Sequence, residues 1–148
     1  GFSEEDFLIF HPSGALGKGF LYKVEDLMLT DKDKLPIAAE TNSFAEVIEL
    51  ISDKKLGMAM IVNEEGKLTG VLTDGDIRRT LIKYPNIRPL LAKDVMSANP
   101  KYISKSDYGA SALNLMEKYS ITALAVLDED GKPIGTIHIH DLLKAGVA

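Results

Sequence analysis

The feature that most constrains this chain is an internal repeat. Glu25-Asp26-Leu27-Met28 is matched by Lys93-Asp94-Val95-Met96, the turn Asn63-Glu64-Glu65-Gly66-Lys67 by Asp128-Glu129-Asp130-Gly131-Lys132, and residues 70–77 by residues 135–142. The offset is 68 residues for the first block and 65 for the later two. That change places a three-residue difference in the early loop, where residues 31–36 are longer and more charged than residues 97–101; loops absorb such differences.

Each copy has the same local grammar. Phe44, Val47, Ile48 and Ile51 fall at helical spacing, and Ser43 with Glu46 forms a capping box, so the pattern predicts a helix over 43–54. Residues 58–62 and 68–72 are apolar and partly β-branched around a polar, glycine-ended turn, which predicts a β-hairpin. Residues 74–83 continue as a short helix that stops before Pro85. The second copy follows suit, with Ala112, Leu115, Met116 and Tyr119 on a helix, strands over 123–127 and 133–137, and a last helix opening at 141–144. Short first strands around Ile37 and Ile103 complete β-α-β-β-α in each copy, and the Met and Tyr side chains on the helices are assigned to packing. A unit of roughly sixty residues buries too little apolar surface to be comfortable alone. The expected fold class is therefore α/β of the α+β type, two tandem units packed sheet to sheet with pseudo-two-fold symmetry.

Composition narrows the function. The 148 residues, 45% hydrophobic, suffice for a real core, and the formal charge of −5 argues against a nucleic-acid or acidic-membrane surface, for which a concentrated basic face is needed. The chain has no cysteine, and its three histidines lack the partners at regular spacing that a structural zinc site shows, so no metal is expected. Apolar runs such as residues 58–62 are strand-length, no signal peptide is visible, and a cytoplasmic setting is the expectation.

The candidate site is the stretch Gly70-Val71-Leu72-Thr73-Asp74-Gly75-Asp76-Ile77-Arg78, an apolar strand running through a polar turn into a helix. The Thr73 hydroxyl, the first-turn amides and the macrodipole suit a phosphate, while the Asp76 carboxylate suits a neutral diol such as a ribose. The competing reading is that Thr73 and Asp76 merely cap the helix. The repeat weighs against coincidence, since His138 and Asp141 stand at the same spacing in the second copy. Arg78 and Arg79, one turn into the first helix, either balance ligand charge or are simply solvated. His138 either donates to a phosphate or carboxylate, strengthened by protonation near its reference pKa of about 6.5, or is structural. His11, in Phe10-His11-Pro12-Ser13-Gly14-Ala15-Leu16-Gly17-Lys18-Gly19, reads on its own as a loop histidine, and Gly17-Lys18 is no P-loop because proline and glycine replace required residues at Pro12 and Gly19.

Two tandem copies ending in G-h-h-T-x-x-D resemble a CBS-domain pair, a Bateman module, over roughly residues 24–146. The resemblance implies a regulatory module whose inter-repeat clefts bind adenosine-type or other nucleotides, with Thr73 and Asp76 at the phosphate and ribose positions. Asp141 keeps the ribose position, whereas His138 departs from the threonine, within His138-Ile139-His140-Asp141; His138, His140 and Asp141 are candidate effector contacts there.

The segment Phe10 to Lys18, leading into Val24-Glu25-Asp26-Leu27-Met28, is similar to the junction of bacterial arabinose 5-phosphate isomerases, in which a sugar isomerase (SIS) domain precedes a CBS pair; Thr73-Asp74-Gly75-Asp76-Ile77-Arg78-Arg79 and His138-Ile139-His140-Asp141-Leu142-Leu143-Lys144-Ala145-Gly146 agree with that family's endings. Ser13 stands where the family usually shows glycine. The resemblance implies an isomerase interconverting ribulose 5-phosphate and arabinose 5-phosphate for biosynthesis of the lipopolysaccharide sugar Kdo, with His11 contributing to its active site. It divides the chain into residues 1–22, the tail of an upstream SIS domain with a linker, and repeats at 23–88 and 89–148. Isomerisation needs more acid–base groups and a phosphate anchor than one histidine supplies, so these residues alone are expected to be catalytically silent. No cofactor is required; the expected effector is CMP-Kdo or an adenine nucleotide, and the expected assembly is a homo-oligomer. A pure oligomerisation scaffold and a CBS sensor of an unrelated enzyme or transporter are the alternatives.

Overall fold

A computed structural model of the chain describes residues 15–148; His11 and the segment around it lie outside them. A helical turn α1 (Ala15–Gly19) and a second, α2 (Val24–Leu27), lead through a 3₁₀ turn (Lys32–Lys34) to β1 (Ile37–Ala39), α3 (Phe44–Lys54), β2 (Met58–Val62), β3 (Leu68–Thr73) and α4 (Asp74–Lys83). The second half runs α5 (Ala92–Val95), β4 (Ser97–Ala98), β5 (Tyr102–Ser104), α6 (Gly109–Tyr119), β6 (Ala123–Leu127), β7 (Pro133–His138) and α7 (Ile139–Lys144). The predicted β-α-β-β-α order holds in both halves. The capping box is also present, with the Ser43 side chain accepting from the Glu46 amide and Glu46 accepting from the Ser43 amide.

In the first sheet β1 pairs parallel to β2, and β2 and β3 form the expected antiparallel hairpin; the second sheet repeats this with β5, β6 and β7. Register is conserved too, with Ile37 opposite Met60 and Tyr102 opposite Ala125. The short strand β4, which hydrophobic alternation over two residues could not announce, adds to the edge of β3.

The leading turns change places. α2 precedes the first repeat in sequence, yet Val24 is fully buried in the core of the second, among Ile103, Leu124, Ile137 and Leu142. α5 precedes the second, yet Ala92 is buried in the core of the first, with Phe44, Val47 and Leu72. The backbone contacts are quasi-equivalent: Val24 N donates to Asp107 O at 2.7 Å and Ala92 N to Asn42 O at 2.8 Å. Two glycines permit the exchange. A Cβ at Gly135 would stand 2.6 Å from Leu29 O, and one at Gly70 would collide with the Met96 thioether, so each hairpin needs a bare backbone where the exchanged segment crosses.

A third cluster forms the seam between the sheets, where Met58, Met60 and Ala125 pack with Leu35 from the early loop. Leu35 and the two methionines are at most 5% exposed, and burying such a side chain contributes about 1.5–3 kcal/mol. A separated repeat would return that surface to water and lose its borrowed turn, so the pair is the folding unit.

Candidate functional site

Both helix starts facing the seam are built by the same local chemistry. Thr73 is the N-cap of α4: its hydroxyl accepts from the Asp76 amide at 3.3 Å, and Asp76 Oδ2 accepts from the Thr73 amide at 2.9 Å. The Asp76 side chain is only 6% exposed and receives further donors, the Thr73 hydroxyl at 3.0 Å on Oδ2, and Ser97 Oγ at 2.8 Å and Arg79 Nη2 at 2.6 Å on Oδ1. Burial pushes its pKa up, but the Thr73 amide, Ser97, Arg79 and the Thr73 hydroxyl together outweigh burial and hold it below the ordinary carboxylate value. With two donors on each oxygen, the Asp76 carboxylate is saturated within the protein.

The second start differs. His138 is the N-cap of α7, with Nδ1 accepting from the His140 amide at 3.1 Å, and Asp141 Oδ2 accepts from the His138 amide at 2.8 Å. Among the described residues Asp141 has no other hydrogen-bond donor, and it is half-buried, so Oδ1 is open. Residue differences at quasi-equivalent positions account for the contrast: Leu29 stands where the first repeat receives Ser97, and Lys144, in the place of Arg79, forms no ion pair with Asp141.

An acceptor role for His138 Nδ1 requires the neutral ring protonated at Nε2. Burial, then the neighbouring His140, lower its pKa against the opposing pull of Asp141, so the ring is held neutral rather than poised at its reference value. The two imidazoles pack with centroids 4.5 Å apart; His140 itself is exposed.

Between the repeats lie two adjoining depressions. One, about 390 Å³, is floored by Met58, Val71 and Ala123 and rimmed by Thr73, Gly75 and Lys101. The other, about 490 Å³, carries His138, Thr122, Lys55, Asp74 and Ile77; both share Gly57 and Thr122. Their lips are turns that end α3 and α6, where Lys55 and Ser120 are left-handed at φ 60° and 53° and Gly57 follows at φ 73°. Thus Thr73 reaches the first depression and His138 the second. Arg79 folds back over Gly75 to Asp76, while Arg78 is exposed and forms no ion pair among the described residues.

Sequence reasoning missed Ser97 and Lys101. The first is invisible because its role depends on the exchanged segment. Lys101 has a weak signal, as the residue just before β5, with its ammonium 4.5 Å from the Tyr119 ring. Tyr119, assigned to packing from its spacing, is 40% exposed and serves as that platform, with Lys101 and Lys118 over its ring, whereas Met116 is buried in the core as expected. Among the described residues no cluster of three or more His, Asp or Glu side chains is arranged for a metal ion, and no helix is long and apolar enough to cross a membrane.

Comparison with known proteins places this architecture. The family model described as CBS domain matches twice, over residues 24–83 and 92–148. The arabinose 5-phosphate isomerase KdsD of Pseudomonas aeruginosa is 40% identical over 147 residues, 99% of this chain and 45% of that protein, and KdsD of Escherichia coli K12 is 38% identical over 147 residues, 99% and 44%. The chain thus spans less than half the length of these relatives. Among solved structures, CBSX2 in complex with AMP superposes with a TM-score of 0.71 at 25% identity, covering 85% of this chain and 96% of that one. The CBS domain pair of MJ0100 in complex with 5-methylthioadenosine and S-adenosyl-L-methionine superposes with a TM-score of 0.70 at 25% identity, covering 83% and 98%.

Proposed function

The chain belongs to the CBS domain family, and on that premise we propose that it is the nucleotide- or nucleotide-sugar-sensing regulatory pair of an arabinose 5-phosphate isomerase. The observation that carries this reading is the half-buried Asp141, one oxygen of which is unclaimed among the described residues, at the helix start whose N-cap His138 lines an inter-repeat groove. A carboxylate accepts two hydroxyls of a vicinal diol, and the neutral His138 offers an Nε2–H to an anionic group. Similarity to KdsD across nearly the whole chain supports the enzyme, and the adenosine-type ligands of CBSX2 and MJ0100 support the ligand class. CMP-Kdo is the pathway candidate, its ribose meeting Asp141 and its acidic sugar His138. His11 acts in catalysis only together with an SIS domain; the module itself shifts the enzyme through the difference in effector affinity between its conformations.

Calorimetric titration of AMP, ATP and CMP-Kdo against this chain tests the reading. Micromolar binding corresponds to about 8 kcal/mol; no heat with any of the three overturns it. A scaffold role is the second reading, favoured by Leu81, Ile82 and Leu143, which are 52%, 81% and 52% exposed on α4 and α7. Sedimentation of Ile82→Glu distinguishes it, since a scaffold loses self-association while a sensor keeps its ligand.

A further inference from the structure

We propose that the hydroxyl of Thr136 is a specificity-determining ligand contact in the second cleft, reading the edge of the nucleotide base. This deepens the sensing reading and rests on it. Thr136 is 1% exposed, and its Oγ1 is a buried side-chain polar atom with no hydrogen-bond partner among the described residues. Buried polar groups are almost always paired, and an orphan calls for an explanation.

The fold does not need this hydroxyl. The quasi-equivalent residue of the first repeat is Val71, of nearly the same shape, and Val71 forms part of the floor of the first cleft. The Thr136 backbone is already spent on Leu29, which donates to it at 2.8 Å and accepts from it at 3.0 Å. Across the ladder stands Ala125, in the seam cluster with Leu35, Met58 and Met60, none of which offers a strong acceptor.

Strand alternation puts Thr136 on the same face of β7 as His138, and Gly135 and Ile137 on the other, toward Leu29 and the second core. His138 lines the groove, and Thr136 stands two residues before it on that face, about 7 Å along the strand and behind the groove's present lining. That separation matches the reach of a base whose ribose is held at Asp141. The hydroxyl both donates and accepts, so it pairs with an amino or a carbonyl substituent in an otherwise apolar floor.

Thr136→Val, the substitution the first repeat already carries, tests this by thermal melting and by calorimetry with AMP, GMP and CMP as probes. The expected result is a raised Tm, because the orphan is removed, together with a loss of about tenfold in affinity for the best-bound probe, the effect of one hydrogen bond; Thr136→Ser, which keeps the hydroxyl, retains that affinity. If Thr136→Val raises the Tm and binds all three probes as the parent does, the proposal is overturned while the sensing reading stands. If the parent chain binds none of the nucleotides tested, the sensing reading falls and takes this one with it.

Discussion

Ser97 donates its hydroxyl to Asp76 Oδ1 across 2.8 Å, and it does so from a segment that follows in sequence the repeat whose helix Asp76 opens. At the corresponding place against β7 stands Leu29, which has no hydroxyl to give. Two near-identical helix starts are thereby made unequal, one carboxylate saturated and the other open.

Stability should separate the two acids. Asp76→Ala strips partners from Ser97 and from both Thr73 donors in a buried setting and is expected to cost about 2–3 kcal/mol in urea denaturation. Asp141→Ala removes one capping interaction and should cost about 1 kcal/mol. Equal losses would mean that the donor inventory at Asp76 contributes nothing beyond capping.

Ligand binding should separate them in the opposite sense. Asp141→Ala is expected to weaken AMP by about tenfold or more, one charge-assisted contact being worth about 1.5–3 kcal/mol. Ser97→Ala, which leaves Asp141 untouched, should leave calorimetric affinity unchanged. A loss confined to the Ser97 variant would relocate the site to the first cleft.

The pH dependence follows from the signs of two shifts. The folded His138 pKa lies below the unfolded value of about 6.5, so the unfolded chain binds the proton more readily. Stability from this group is present above about pH 6.5 and is lost as pH falls toward the folded pKa. His138→Asn keeps an N-cap acceptor and should flatten the melting temperature between about pH 7 and pH 5. Asp76 is likewise lowered, so its contribution persists to greater acidity and is lost as pH falls below about 3.9 through the folded value; Asp76→Asn removes that limb.

The crossing glycines make a fourth test. Gly135→Ala sets a Cβ against the Leu29 carbonyl, a backbone atom that cannot turn aside, and is expected to destabilise by about 1–3 kcal/mol. At Gly70 the obstacle includes the flexible Met96 side chain, so Gly70→Ala should cost less and be partly relieved by Met96→Ala. Denaturant midpoints of the three variants decide whether steric closeness at the exchange governs stability.

Much of the fold was legible because the signals are local. Ser43 and Glu46 specify a helix start with contacts three residues apart, the polar turns around Gly66 and Gly131 specify hairpins, and both glycines indeed take the left-handed conformation, at φ 82° and 81°. Repetition of these signals implied two similar units and a shared seam. Tyr119 misled, because helical spacing reports a face and not how deep its last turn sits.

By itself, then, the sequence determined the elements, the capping chemistry and the pairing of two alike units, all set by hydrogen bonds and periodicities within a few residues. Tertiary structure alone decided which leading turn docks on which core, since Leu27 and Val95 are equally apolar and nothing local distinguishes the destinations. That exchange delivers Ser97 to Asp76 and Leu29 to Thr136, and so fixes which acid is open and where a buried hydroxyl is left without a partner among the described residues.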